Sequence, residues 1–341
     1  MVARNSRGRG EDHLEDRIAE FKPLHALLLD GKGGARELTL DEISNWSADQ
    51  GLLWIHLDYT DSATADWLTQ QQDIPAVVID ALLAENTRPR ALQIDASLLL
   101  ALRGVNLNRD ADPHDMVSVR IYLQSNRMIS TRRRRLQSVT ELVEALHSGQ
   151  GPTSLADLIV AIVDGLTVRI GDQVMELDAR LEQLEELMSD NQRLTLSRQA
   201  LMELRNINSR LRRYLSPQRE ALQQLLAERL TILDQTQKNQ IRETQDALLR
   251  HIEDLDLMRE KTIAAHDALL ASLSDQLNSR MYLLSIISGL FLPLGFFTGL
   301  LGVNVGGMPG ADNPMAFWLF CGALGVMSIG MLWLLKKLRW F

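Results

Sequence analysis

The chain has 341 residues, of which 45% are apolar, and its formal net charge is −8. A negative chain of this kind is not expected to bind nucleic acid, since nucleic-acid-binding proteins concentrate Lys and Arg on one face. The single cysteine, Cys321, excludes a disulfide framework and a zinc site built from cysteines.

The N-terminal part of the chain is charged and mixed in character. Residues 1–20 are rich in Arg and Glu without a hydrophobic stretch, so we expect a disordered tail and no secretory signal. Residues 21–150 predict a cytoplasmic α/β domain. Its "HALLLD" and "LLWIHLDY" are typical of buried strands, whereas the alternating "MVSVRIYLQ" predicts a half-buried strand. A helix is expected over residues 73–85, and a turn at the first Gly-Val-Asn, residues 104–106.

The four arginines at 132–135 follow a predicted strand, and such a run typically forms a solvated charged face. Residues 151–280 predict long helices, because no Gly occurs between Gly171 and Gly289. We expect a coiled-coil-like helix first, then a second helix over 191–214. A third helix starts near 236 and continues to about 303. At 1.5 Å per residue it would be roughly 100 Å long, which favours lateral support from an oligomer.

Two charge-free segments, 281–303 and 315–335, end the chain and define a transmembrane domain over 281–341. Each is long enough for a bilayer core of roughly 30 Å. Basic residues flank the outer ends of the pair, at Arg280 before the first segment and at Lys336 and Lys337 after the second, and the connecting loop has none. The positive-inside rule therefore predicts a multi-pass protein of the inner membrane with both termini in the cytoplasm.

The first segment contains several small and polar residues. Ser285, Ser288 and Thr298 interrupt it, and Gly295 and Gly299 have the spacing that permits close approach of helices. Two helices cannot enclose an aqueous path, so a transport pathway requires several chains.

The region from Asn278 through "FLPLGFFTGLLGVN" resembles the CorA superfamily of two-transmembrane GxN metal-ion transporters. "LLWIHLDY" resembles the W-I-D-L strand of that family, with His56 in place of Asp. "DIPAVVIDALLAENTRPR" resembles its helix-then-Arg-Pro segment, and the resemblance covers residues 25–341. Magnesium-transporting members carry Tyr-Gly-Met-Asn and an acid after the Met-Pro of the loop. Here Leu301-Gly302-Val303-Asn304 and Gly310 stand in those places, which is similar to the zinc-transporting ZntB-like branch.

The resemblance implies an α+β cytoplasmic domain, long helices and a membrane hairpin, assembled as a homopentameric funnel whose first span lines the pore. Metal would meet Gly302, Val303 and Asn304 at the pore mouth, where Asp312 would attract cations. Asp80 matches an acidic position of a regulatory metal site, although Ile79 replaces its acidic neighbour. The steps of three and four residues then give the expected pore-lining face: Asn278, Met281, Leu284, Ser285, Ser288, Leu292, Gly295 and Gly299.

The transported ion is expected to be Zn²⁺, on the branch resemblance alone, with Co²⁺, Ni²⁺, Cd²⁺ or Mg²⁺ as further candidates. The pore-lining face offers no His or Cys, so its chemistry suits a hydrated divalent cation without selecting zinc. ZntB-like members are associated with proton-coupled uptake. Two alternatives stay open: a CorA-like magnesium, cobalt or nickel channel, and a membrane-anchored coiled-coil scaffold or sensor. We expect no enzymatic activity and no bound cofactor.

Overall fold

The computed structural model describes residues 21–188, 194–227, 232–303, 310 and 313–337. It forms two compact units, Met1–Ala265 and His266–Phe341. The described part of the first unit contains a mixed β-sheet and a set of helices, and that of the second is helical.

One seven-stranded sheet organises the first unit. Its strands are β1 (His25–Leu29), β2 (Ala35–Glu37), β3 (Leu52–Asp58), β4 (Arg90–Ile94), β5 (Ser97–Gly104), β6 (Val117–Leu123) and β7 (Arg127–Arg132). The strand order is β2-β1-β3-β7-β6-β5-β4, and β3 and β7 are the parallel pair in an otherwise antiparallel sheet. The predicted strands in "HALLLD" and "LLWIHLDY" are confirmed as β1 and β3.

Eight α-helices and one short 3₁₀-helix (Ala48–Gln50) lie in the described residues. The α-helices are α1 (Leu40–Ser44), α2 (Ser62–Gln70), α3 (Ala76–Leu83), α4 (Gln137–His147), α5 (Leu155–Met188), α6 (Leu194–Leu225), α7 (Gln235–Leu301) and α8 (Ala316–Lys337). The helix predicted over 73–85 is confirmed as α3, and the long uninterrupted third helix is confirmed as α7.

The prediction that β6 is half-buried is wrong, because all seven of its residues are buried. Helices cover the sheet on both faces. On one face Tyr122 belongs to the same apolar cluster as Val78 and Leu82 of α3. On the other face, α5 packs so closely on β5 that a Cβ at Gly104 would overlap the side chain of Leu166.

The prediction of a turn at the first Gly-Val-Asn is also wrong. Gly104 is the last residue of β5, and Asn106 follows in a fully buried connection. The Asn106 amide donates to the carbonyl of Pro113 at 3.0 Å, and its Oδ1 accepts from the side-chain amide of Asn108 at 2.6 Å. This copy of the tripeptide is therefore a structural element of the soluble unit.

The second long helix extends beyond its predicted end at Tyr214, to Leu225, with Pro217 inside it. A proline removes one hydrogen bond from the helix that contains it. Around Pro217, side chains of α6 form hydrogen bonds to the sheet. Gln218 Oε1 accepts from the amide of Arg103 at 2.7 Å, and Gln224 Oε1 from that of Ala91 at 3.3 Å. The side chains of α6 thus cap backbone groups of β5 and β4.

Candidate ion pathway on the first membrane-spanning segment

The second unit contains two helical segments that are long and apolar enough to cross a membrane, one in α7 and the other α8. Almost none of either apolar window is buried. Core helices of a soluble protein bury such surface, since exposing it to water is costly. The exposure therefore fits segments that are covered by lipid or by further chains.

The predicted pore-lining face occupies one side of α7. Its residues are all exposed: Asn278, Met281, Leu284, Ser285, Ser288, Leu292, Gly295 and Gly299. The least exposed residues of the span are Ile286, Leu290, Pro293 and Leu294. At about 100° per residue they lie on the opposite side of the helix. The predicted face is therefore the side of α7 that its own chain leaves uncovered.

Polar character distinguishes this face from the rest of the exposed surface. Phe291 and Phe296 flank it and are as exposed as the face itself, so exposure alone does not define it. The hydroxyl of Ser285 donates to the carbonyl of Met281 at 2.9 Å. That bond uses the hydroxyl hydrogen, so the oxygen lone pairs remain available as acceptors.

A backbone carbonyl adds a further acceptor beside this face. Pro293 lies inside α7 and has no N–H, so the carbonyl of Gly289, four residues earlier, lacks its usual helical donor. Apart from Gly289 itself, its two chain neighbours and the adjacent helix backbone, no described atom lies within 4 Å of the position that a Cβ at Gly289 would occupy. Glycine has no side chain that could cover this carbonyl. A polar group inside a membrane requires a hydrogen-bond partner, such as water or another chain.

The backbone geometry at the C-terminal end of α7 accounts for the glycine in the second Gly-Val-Asn. The amide of Gly302 donates to the carbonyls of Thr298 at 2.9 Å and Gly299 at 3.3 Å, which closes the helix. A Cβ at Gly302 would lie 2.9 Å from the Thr298 oxygen, too close for any other residue without a shift of the backbone. Val303 is 48% exposed. Asn304 and Asp312 lie outside the described residues.

Basic residues lie at the start of the first charge-free segment and at the end of the second. Arg280 is exposed at the start of the charge-free segment of α7, and Lys336 and Lys337 end α8. The ammonium of Lys337 lies 5.1 Å from the ring centroid of Trp333. An aromatic residue and a lysine in contact at the end of a span are typical of a membrane–water interface.

The other predicted metal residue, Asp80, is exposed on α3, and its neighbour Ile79 packs on the apolar core of the first unit. Within the described residues, no group of three or more His, Cys, Asp or Glu side chains is arranged to hold a metal. The structure therefore does not bring Asp80 together with other metal-binding side chains of its own chain.

The structure places His56 in a buried network, a role that no sequence pattern indicated. Arg132 Nε donates to His56 Nε2 at 3.1 Å, so Nδ1 carries the hydrogen and donates to Ser130 Oγ at 2.7 Å. Trp54 Nε1 donates to the same oxygen at 2.8 Å. Burial above all, and then the charge of Arg132, lower the pKa of His56 well below 6.5. The imidazole is thus a neutral acceptor for the arginine, at a position where the resembling family has a carboxylate.

The four arginines at 132–135 differ in exposure, because Arg132 belongs to this network. Arg133, Arg134 and Arg135 are exposed, as expected of a solvated face. Arg132 is half-buried, and the expectation is wrong for this residue because its guanidinium donates to His56 on the neighbouring strand β3.

Comparison with known proteins places this architecture in a family. The sequence model described as CorA-like Mg²⁺ transporter protein matches residues 49–337. The chain is 37% identical to the divalent cation transporter CmaX of Pseudomonas aeruginosa over 93% of its own length and 96% of the relative. It is 35% identical to the zinc transport protein ZntB of Yersinia enterocolitica over 93% of its length and 95% of the relative.

A solved structure supports the same assignment at the level of the fold. The structure of the full-length CmaX protein superposes with a TM-score of 0.80 at 36% identity, covering 93% of this chain and 98% of that one. The match includes both units, so the sheet, the long helices and the two apolar helices recur together. The chain therefore belongs to the family of CorA-like Mg²⁺ transporter proteins.

Proposed function

We propose that this protein transports divalent metal cations across a membrane, with Zn²⁺ as its main ion, along the first span of α7. One observation carries the proposal. The exposed face of α7 contains serine hydroxyls, glycines and apolar side chains, and it runs the length of a charge-free segment. Met281, Leu284 and Leu292 on that face would form apolar constrictions that gate by dewetting. Between them, Ser285 and Ser288 offer oxygen acceptors.

The chemistry of this face suits an ion that keeps its water. Divalent cations lose inner-shell water reluctantly, and that water donates hydrogen bonds. The acceptor oxygens at Ser285, Ser288 and the Gly289 carbonyl match such donors, and Asn304 at the mouth supplies an amide oxygen. Zn²⁺ is chosen because ZntB relatives are zinc transport proteins and because Gly302-Val303-Asn304 has the form of that branch.

The proposed assembly is a homopentamer in the inner membrane, with both termini in the cytoplasm. One chain contributes one uncovered face, so several copies must surround an aqueous path, and the family resemblance supplies the number five. The basic flanks of the hairpin favour the orientation. Asp312 from each copy would then raise the local cation concentration at the outer mouth. Residues 21–150 and 151–280 would form the cytoplasmic domain and stalk.

Metal flux into proteoliposomes tests the function. The purified full chain is reconstituted into vesicles that enclose a dye matched to each ion, and uptake of Zn²⁺, Co²⁺, Ni²⁺, Cd²⁺ and Mg²⁺ is compared with and without an inward proton gradient. We expect Zn²⁺ uptake to be fastest and to increase with the gradient. A Ser285→Leu, Ser288→Leu double variant should abolish it, whereas Ser328→Leu in α8 should not. Equal uptake in all three proteins would contradict the pathway.

A second candidate is a magnesium, cobalt or nickel channel. It is favoured by the donor set of the pore-lining face, since oxygen ligands suit Mg²⁺ better than they suit Zn²⁺. The same flux assay separates the two. Rapid Mg²⁺ uptake without Zn²⁺ uptake would assign the chain to magnesium transport and leave the proposed pathway intact.

A further inference from the structure

A small pocket in the first unit lies over β5 and β6, beside the end of β7. Its volume is about 160 Å³, and its lining includes Tyr59, Arg103, Asp115, Ser118, Arg133 and Arg134. Two of these arginines come from the exposed run that the transport pathway does not use. The pocket is thus a candidate site that is independent of metal transport.

The sheet register places a second buried arginine next to the pocket. Arg103 lies opposite Ser118, and Ala101 opposite Arg120, so the side chains of Arg103, Ser118 and Arg120 share one face of the sheet. Arg120 is fully buried and its guanidinium lies 4.3 Å from the ring centroid of Tyr59, a wall of the pocket. Two buried guanidinium groups therefore lie at or behind the pocket wall.

The hydrogen-bond acceptors of Arg103 and Arg120 are neutral backbone carbonyls. Arg103 donates to the carbonyls of Thr87 and Met116 at 2.7–3.1 Å. Arg120 Nη2 donates to the carbonyl of Ala84, while its Nε and Nη1 are buried without an acceptor among the described residues. Carbonyl oxygens orient a guanidinium without neutralising it, and a buried charge that is not fully neutralised is costly. Asp115 attracts the charge of Arg103, but this carboxylate is shared with Arg134.

The charges around the pocket leave a positive excess. Arg134 pairs with Asp115 at 3.1 Å, and the second carboxylate on the pocket is Glu85. Arg133 is exposed and has no hydrogen-bond or ion-pair partner in the described part of the chain. Four arginines, counting Arg103 and Arg120, thus surround a space with two carboxylates.

We propose that this pocket binds a small tetrahedral oxyanion, either inorganic phosphate or the terminal phosphoryl group of a nucleotide. Guanidinium forks bind phosphoryl oxygens in pairs, and the Ser118 hydroxyl adds a donor from the floor of the pocket. A bound anion would also act on α6, because Arg103 stacks on Tyr214 at 4.2 Å and its amide donates to Gln218.

Isothermal titration calorimetry on the full chain in detergent and metal-free buffer tests the proposal. One experiment titrates inorganic phosphate into the protein and a second titrates ATP. In each case the control is a titration of potassium chloride at the same ionic strength. The test variant is Arg133→Ala, which removes a pocket arginine without breaking a bond. Its control is Arg135→Ala, two residues further along, which removes the same charge from a side chain that does not line the pocket. This control also removes the hydrogen bond from Arg135 Nε to Thr140 Oγ1 at 2.9 Å, so its melting temperature is measured alongside.

We expect saturable phosphate binding that chloride does not reproduce. Arg133→Ala should weaken it about tenfold or more, since one charge-assisted hydrogen bond is lost, and Arg135→Ala should leave it within about twofold. Tighter ATP binding with the same dependence on Arg133 would identify a nucleotide as the ligand. No heat with either probe, or equal weakening in the two variants, would overturn the proposal.

Discussion

At the residue scale, the same tripeptide has two different environments. Asn106, in the first Gly-Val-Asn, is fully buried and bonded to Asn108, so its replacement would destabilise the soluble unit. Asn304, in the second, lies outside the described residues and follows Val303, which is exposed two residues after the end of α7. Asn106 is therefore unsuitable as a neutral control for Asn304, and a loop asparagine serves better.

Asn304→Ala is expected to assemble normally and to lower Zn²⁺ flux by about tenfold or more. The reason is that hydrogen bonds to a charged partner contribute about 1.5–3 kcal/mol each, and every copy loses one. Asn313→Ala is the control: Asn313 is exposed in the same loop and caps the Met315 amide at 2.9 Å. Its loss costs about 1 kcal/mol of helix stability and should leave flux near wild type. Wild-type flux in Asn304→Ala would contradict the pore-mouth assignment.

His56 predicts a pH dependence of stability. Its pKa is lowered in the folded chain, so above about pH 6.5 both the folded and unfolded states hold it neutral. Below that pH the unfolded chain takes up a proton that the folded chain refuses, and stability falls as pH decreases. Melting temperatures measured between pH 8 and pH 5 should therefore fall more steeply for wild type than for His56→Gln. Parallel slopes would show that another group is responsible.

At the element scale, the long helices α5 and α7 meet in a close contact at a glycine. A Cβ at Gly171 of α5 would lie 2.8 Å from two ring atoms of His251 on α7. Burial also lowers the pKa of His251, so a neutral ring at this contact is favoured. Polar contacts join the same two helices elsewhere, from Gln237 Nε2 to Asp157 Oδ1 at 2.7 Å and from Lys261 Nζ to Asp178 Oδ1 at 3.5 Å.

Gly171→Ala should destabilise the first unit by about 1–3 kcal/mol, because the added methyl group has no space. The double variant Gly171→Ala, His251→Ala should recover most of that loss, since the ring that the methyl meets is gone. We would measure thermal unfolding of the wild type, the two single variants and the double variant. The four values give the interaction free energy between positions 171 and 251. Additive effects of the two substitutions would mean that the close approach is not the cause.

At the scale of the whole molecule, one face of α7 has no partner among the residues that the structure describes. The face from Asn278 to Gly299 is exposed, and its apolar members are among the most exposed large residues of the protein. We therefore expect a homopentamer in detergent, which native mass spectrometry measures directly. A population dominated by monomer or dimer would contradict the assembly and with it the shared pathway.

Much of this architecture follows from the sequence, because the signals are periodic and local. The charge-free runs, their basic flanks and the helix that continues into the first span depend on composition and spacing alone. The predicted pore-lining face follows from the family resemblance and the helical repeat, and the strands of the first unit follow from short apolar runs. These features do not depend on what packs against them, so they can be predicted before the fold is known.

Other features required the tertiary structure, because they depend on contacts between distant residues. β6 alternates in sequence, yet helices on both faces of the sheet bury it completely. Pro217 lies inside α6 because Gln218 and Gln224 attach that helix to the sheet. His56 has a role only where Arg132 and Ser130, more than 70 residues away, meet it. Burial and hydrogen-bond partners across the fold are set by packing, and no local pattern encodes them.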